Sequence, residues 1–544
     1  MKLFWCSLCL WIIGWGSTLQ AQPPQVQLGP AFNEPVDGWD KLLLLKNGHT
    51  VYLHFTRKAG IEVTIYNQQR TIVATDTIVG AGWDARNMGE TEVDGIFEMN
   101  GQVVIFLQQL IKYKPCLFRI VLDSENGSVI REDRLGELPS ILQKDVYALN
   151  NLASHDCFVE KDANSGYYAV ALFAGGEIRR DENTHERVRL LHFSPNHELI
   201  NQACYYLPDS TFRYFTYLGM AVADSSQVLL ATTGFNPRSK TTVAASKVIV
   251  STLKSSRQTF EHQPLHYTAG TGNVKANIQY QAARHLFRLL LVLPAGKGRK
   301  EDGYQVFLND IEAIDGKLKS HHPLQWDKTS AYAQQHLGYT GTYSGLPQQW
   351  FLHEDGSSTL LLENLSQFTQ GHHQYLKQHT NLGDIGICQL DTAGIETDGT
   401  AIAKAQVVNG ICEPFYLQRK VKGEWSFRNK IQALNTNTYL SFEYLRGTQA
   451  TFLLFNDYLQ YLEKGGSEKA HKPLKYANDA NLVCYRYQNG HVQRTFPFGV
   501  PDADKGYYCM LGASDYAAEG NIYATVMISR NGSDKKAYIA WLQL

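Results

Sequence analysis

The sequence predicts an all-β chain folded as a single closed β-propeller of four-stranded antiparallel blades, eight of them, with seven as the competing count. Three observations carry this prediction. One kind of apolar strand, entered through a tight polar turn, recurs eight times. A second kind follows it, after a variable loop, also eight times. The last unit lacks an outer strand, while an unassigned strand stands near the start of the chain.

The first kind reads TVYLHF (50–55), QVVIFL (102–107), YYAVALF (167–173), QVLLATT (227–233), LFRLLLVL (286–293), STLLLEN (358–364), ATFLLFN (450–456) and NIYATVMI (521–528). Turns such as Asn47-Gly48, Asn100-Gly101 and Asp355-Gly356 precede it. These residue types accept the positive φ that hairpin turns demand. The second kind reads GIEVTIY (60–66), CLFRIVLD (116–123), RVRLLHF (187–193), SKVIVSTL (246–253), YQVFLND (304–310), DIGICQLD (384–391), NLVCYRY (481–487) and KAYIAWLQL (536–544). Strands such as KLLLLK (41–46), GIFEM (95–99), QQWFLH (348–353) and YLSFEYL (439–445) come before the first kind. Each unit is therefore four strands, a to d from the axis outward. Runs such as VVIFL are apolar at successive positions, so both faces are dry. Stacked blades supply that burial, whereas a sandwich strand with one wet face would alternate. No sustained helical periodicity is present, so helix is minor.

Closure follows from the ends. The last unit has a, b and c but no d, and Gln25-Val26-Gln27-Leu28 has no blade of its own. Pairing of this segment with the C-terminal strand leaves no unpaired edge. Residues 1–21 read as a signal peptide: Lys2, an apolar run too short to span a bilayer, and a small residue at the expected cut, Ala21. The propeller domain then takes 22–544, in a secreted or periplasmic protein. Seven cysteines remain after the leader, Cys116, Cys157, Cys204, Cys388, Cys412, Cys484 and Cys509. An odd, sparse set is no disulfide framework. Most are expected as small apolar fillers, with Cys388/Cys412 and Cys484/Cys509 as the pairs to inspect.

These strand and turn patterns make the chain resemble bacterial secreted β-propeller repeat proteins. The resemblance is one of fold, covers most of the mature chain and implies no functional residues. The repeat signatures of WD40, kelch and quinone-dehydrogenase blades are missing. So are the G-x-S-x-G elbow, the H-E-x-x-H zinc motif and the Walker loop. A net charge of −1 gives no global field for nucleic acid or anionic membrane. No basic stripe with interleaved aromatics is present, and no later stretch is long and apolar enough to cross a membrane. No cofactor or metal is expected. Residues 371–379 hold three histidines without a completing ligand set, and the turns around Asp162 and Asp502 lack the closing acid of a calcium loop.

Loop lengths point to function. The a–b and c–d turns are tight, whereas b–c and d–a connections are long, and these emerge on one face. Rigid scaffolds gather variable binding loops in this way. Three Trp-Asp pairs fall in d–a connections: Trp39-Asp40, Trp83-Asp84 and Trp326-Asp327. An indole beside a carboxylate can stack on a sugar and accept its hydroxyls. The same residues can pack between blades, with the acid capping a turn. Tyr339 and Tyr343 add aromatics to the longest well-defined loop. The expected function is a non-catalytic binding propeller, its partner a glycan, a peptide or a cell-envelope protein. The second reading is a carbohydrate-active hydrolase or lyase at the channel mouth. Carboxylates converging within roughly 5–10 Å would favour it.

Overall fold

The computed structural model describes residues 25–35, 38–140, 155–174, 188–205, 212, 214–237, 243–267, 274–294, 303–371, 377–417, 423–426, 430–433, 438–458, 473–475, 477–488, 491–500 and 505–544. The expected signal peptide, His372 and His373 of the three-histidine loop, and Asp502 lie outside these residues.

Eight antiparallel sheets form the ring. The first described strand, β1 (Gln25–Leu28), belongs to the last blade. Blade one is β2 (Trp39–Leu44), β3 (Thr50–Phe55), β4 (Ile61–Tyr66) and β5 (Ile72–Ile78). Blade two is β6 (Thr91–Met99), β7 (Gln102–Ile111), β8 (Lys114–Leu122) and β9 (Val129–Glu137). Blade three is β10 (His155–Lys161), β11 (Tyr168–Ala174), β12 (Val188–Phe193) and β13 (Leu199–Cys204). Blade four is β14 (Tyr214–Ala223), β15 (Gln227–Pro237), β16 (Val243–Lys254) and β17 (Glu261–Pro264). Blade five is β18 (Lys275–Gln281), β19 (Leu286–Pro294), β20 (Tyr304–Glu312) and β21 (Leu318–Pro323). A helix, α1 (Asp327–Leu337), precedes blade six, which is β22 (Leu346–Leu352), β23 (Ser358–Gln370), β24 (Lys377–Leu390) and β25 (Glu396–Ile402), with β26 (Gln406–Asn409) added on β24. A separate hairpin follows, β27 (Gly423–Ser426) and β28 (Lys430–Ala433). Blade seven is β29 (Phe442–Arg446), β30 (Thr451–Tyr458), β31 (Ala480–Gln488) and β32 (His491–Thr495). Blade eight is β33 (Lys505–Ala517), β34 (Ile522–Asn531) and β35 (Asp534–Gln543), with β1 as its outer strand.

The dry faces expected from the apolar runs are present. In β7, Val103, Ile105 and Leu107 enter the core between blades one and two, while Val104 and Phe106 enter the core between blades two and three. In β19, Phe287, Leu289, Leu291 and Leu293 face blade four, while Leu290 and Val292 face blade six. A strand with period two and two buried faces must be apolar at every position. Outer strands, with one wet face and a free edge, are exposed; β5 is so along most of its length.

Polar staples tie blades together within this apolar stack. Arg288 on β19 is fully buried, pairs with Asp310 at 2.9 Å, and donates to the carbonyls of Gly356 and Thr392 in blade six at 2.7 and 3.0 Å. Arg119 on β8 pairs with Asp133 at 2.6 Å and donates to Tyr168 of blade three at 2.5 Å. At the seam of blades eight and one, Lys41 donates to the Ser514 carbonyl at 2.6 Å, and the Trp541 indole donates to Thr50 at 2.9 Å. β1 pairs antiparallel with β35 from Gln25–Gln543 to Leu28–Ala540, and Phe32 continues the pairing to Ala537. All seven described cysteines are free thiols, buried except for half-buried Cys204. The two pairs singled out in the sequence are therefore not disulfides but fillers of the blade cores.

Candidate functional site

The first strand of each blade is the innermost. β2 runs beside β33, β6 beside β10, β10 beside β14 and β14 beside β18. These strands begin on the face where b–c and d–a connections emerge. That face is elaborated. Plain-face turns run no longer than stretches such as 123–128 or 255–260, whereas the other face carries 79–90, 138–154, 324–345 and 403–441. Two of the connections read as loops from sequence are more ordered than expected. Residues 365–370 and 377–383 continue β23 and β24 as an arm, and 325–346 contain α1. Glu396 on β25 accepts the backbone N–H of Lys328 at 2.5 Å and of Thr329 at 3.0 Å, satisfying that helix's exposed N-terminal donors.

At the channel mouth on this face, the second residue of the innermost strand is an acid in each of the first three blades: Asp40, Glu92 and Asp156. Asp40 is buried opposite His54. The Tyr52 hydroxyl donates to Asp40 Oδ1 at 2.5 Å, and His54 Nδ1 lies 2.8 Å from the same oxygen. Burial and the Asp40 charge push the Tyr52 phenol far above its ordinary range. Glu92 is buried opposite Gln108, whose Nε2 donates to Glu92 Oε2 at 3.2 Å. Between blades two and three a further acid joins. The register of β6 on β7 skips from Val93–Leu107 to Gly95–Phe106, so Asp94 is a bulge residue. A bulge re-aims one side chain. Carboxylate oxygens of Glu92, Asp94 and Asp156 lie within 4.8 Å of one another.

Apart from Asp40, the residues expected to bind ligand fall elsewhere, in two groups. Trp39 is 3% exposed, lies on β2 rather than in a connection, and packs its ring 5.1 Å from Phe55. Trp83 is 5% exposed and fills the same core between blades one and two. Gly80 makes room for it: a Cβ there would lie 2.3 Å from the indole. Asp84 caps a short 3-10 turn, accepting Arg86 N at 2.9 Å. Gln109 pins that loop by donating to the Asp84 carbonyl at 2.9 Å. The second group lies between blades five and six. Trp326 is half-buried and donates to the Tyr343 carbonyl at 2.8 Å, while Asp327 is exposed in the first turn of α1. Tyr339 donates to Asp384 Oδ2 at 2.8 Å, and fully buried Tyr343 donates to the Asp384 carbonyl at 2.7 Å. These contacts fasten α1 and its loop to the β23–β24 arm. Trp326 packs against a different core from the one that Trp39 and Trp83 share.

The turn at Asp162 is a hairpin cap. Its carboxylate accepts Asn164 N at 3.0 Å, Ser165 Oγ at 2.5 Å and Asp224 N of blade four at 3.3 Å. Among the described residues, no helix is long and apolar enough to cross a membrane.

No family model matches the chain, and no curated protein matches it. Among solved structures, a prolyl endopeptidase is 8% identical, over 91% of this chain and 55% of its own, with a TM-score of 0.37. Prolyl oligopeptidase B from Galerina marginata is 8% identical, over 93% and 55%, with a TM-score of 0.40. A post-proline cleaving enzyme from Rickettsia typhi is 7% identical, over 90% and 57%, with a TM-score of 0.37. This chain thus spans little more than half the length of each. The assignment as a propeller rests on the strand pairing described above.

Proposed function

We propose that the protein is a secreted or periplasmic binding propeller that holds a glycan, a peptide or a cell-envelope protein on its long-loop face, without turning it over. The observation that supports this is the one-sided elaboration. A helix, an added strand and a hairpin arm all belong to connections of one face, while the opposite face keeps minimal turns. Loop growth without a role has no reason to favour one end of every blade.

One observation favours a second reading, a carbohydrate-active hydrolase or lyase. Retaining glycosidases hold two carboxyl groups about 5–5.5 Å apart, and Glu92, Asp94 and Asp156 converge at comparable spacing. The deciding experiment is a screen against glycans and envelope-derived peptides, with product release followed in the same wells. Retention without turnover is the expected result. Product release that disappears in both Asp94→Asn and Asp156→Asn would replace binding by catalysis.

A further inference from the structure

We propose that the hairpin of β27 and β28 is a lid, held by charge, that closes the channel mouth and must lift before anything enters it. The connection that carries the hairpin leaves blade six and enters blade seven. Yet β27 lies against β6, and both hairpin strands lie against the 3-10 turn Ala85–Glu90 that precedes blade two. Blade two stands four places from blade six in the ring of eight, which is the opposite side. The hairpin therefore crosses the mouth, at the end of the channel where the strands bearing Asp40, Glu92 and Asp156 begin.

Its two roots are fixed. On the blade-six side, Phe415 donates its backbone N–H to the Pro347 carbonyl at 2.7 Å, and the buried Tyr416 hydroxyl donates to Glu363 at 2.6 Å. On the blade-seven side, Leu440 is buried and Ser441 donates its backbone N–H to Gln406 at 2.9 Å. Between these anchors the hairpin is small, pairing from Gly423–Ala433 to Ser426–Lys430. A two-stranded hairpin of this size is marginal in water on its own. Its order depends on the surface it lies against, so lifting it costs little beyond that contact. Lids are drawn from such low-stability elements, on roots that do not move.

Charge supplies the latch. Residues 418–433 carry Arg419, Lys420, Lys422, Arg428 and Lys430 against one acid, Glu424. The strand they reach, β6, carries Glu92 and Asp94, with the Asp156 carboxylate close by. Opposite charges attract across this contact, and salt weakens the attraction wherever water reaches it. A lid at this end governs the long-loop face, and its role rests on that face being the one that binds.

The test uses the full chain and no ligand. Trypsin cleavage after Arg428 or Lys430 is followed by mass spectrometry and normalised to a free peptide of residues 418–433. At low salt the chain should be cut at least about tenfold more slowly than the peptide. Sodium chloride at about 0.5 M should raise that rate at least about threefold. Asp94→Asn combined with Asp156→Asn should raise the low-salt rate to the same level. A second readout follows access to the mouth. In a Cys204→Ser background, Asp156→Cys should react with a bulky maleimide at least about tenfold faster once a glycine-serine linker replaces residues 421–435. A chain nicked by trypsin in the hairpin serves in place of a linker variant that does not fold. Cleavage as fast as in the peptide, protection indifferent to salt, or equal labelling with and without the hairpin would each overturn the lid. Neither readout involves a bound partner, so failure here leaves the binding reading standing, and an empty binding screen leaves the lid standing.

Discussion

At position 39 an indole lies 5.1 Å from the ring of Phe55, and its neighbour Asp40 is held by Tyr52 and His54. Both side chains belong to strand β2, and their roles separate by side. Trp39 enters the core between blades one and two, and Asp40 sits at the channel mouth. A dipeptide shows which residues are adjacent but not which side of a sheet each one faces. This is why the Trp-Asp pairs read as one motif, although Trp39 and Trp83 pack in a core, Asp84 caps a turn and Asp40 accepts from Tyr52. Trp39→Ala and Trp83→Ala should therefore each lower stability by about 3–5 kcal/mol. Trp326→Ala, half-buried, should cost less. Thermal melts with intact melting curves for all three would restore the aromatic-acid reading. Asp457 offers a second test at this scale. Burial pushes its carboxyl up to about 6 from an ordinary 3.8. Between these values the folded state holds the proton and the unfolded chain does not, so stability falls as pH rises through this window. Asp457→Asn should be more stable than the parent at pH 7.5, by up to about 3 kcal/mol, and equal to it below pH 4. An equal difference at both pH values would contradict this assignment.

Among the elements, the b and c strands were legible because both their faces are dry, which leaves no room for alternation to blur the pattern. VVIFL and LFRLLLVL became the centres of β7 and β19 for that reason. The turns were legible through their glycines; Gly48 and Gly356 take φ of 85° and 89°. Helix α1 was missed. Its sequence, DKTSAYAQQHL, buries only Thr329, Ser330 and Ala333, so no apolar stripe announces it. Its remaining signals were Asp327 in the first turn and Gly338 at the C-terminal cap, with φ of 70°. The arm of β23 and β24 was read as a loop because its residues beyond Glu363 are mostly polar and exposed or half-exposed, with only Leu365 and Phe368 apolar on β23. The acids of the channel mouth were hidden for a different reason. Glu92 and Asp156 are brought together by ring geometry, and Asp94 by a bulge, and neither leaves a fixed spacing in the sequence. What could have found them is alignment of the blades, which places an acid second in three successive innermost strands.

On the scale of the whole molecule, the N-terminal segment read as the missing outer strand of the last blade is β1, paired with β35. Residues beyond it add to the hold, since Glu34 accepts from Tyr439 at 2.7 Å and pairs with Lys535 at 3.2 Å. Deleting residues 22–36 should lower the melting temperature, because several hydrogen bonds worth about 0.5–1.5 kcal/mol each are lost. It should also leave the β35 edge open to another chain, visible as association in sedimentation. A monomer with an unchanged melt would show that the segment is dispensable. The ring so built has one plain and one elaborated face, and the functional reading depends on that difference. The most direct test blocks one face at a time. Lys317→Cys lies in a plain-face turn of blade five, and Gln370→Cys lies at the exposed end of β23 on the long-loop face. Each is coupled to a bulky maleimide polymer, and retention of the best probe from the glycan and peptide screen is measured. Loss of retention with the polymer at 370 and full retention with it at 317 is the predicted result. Loss at 317 with retention at 370 would contradict the account.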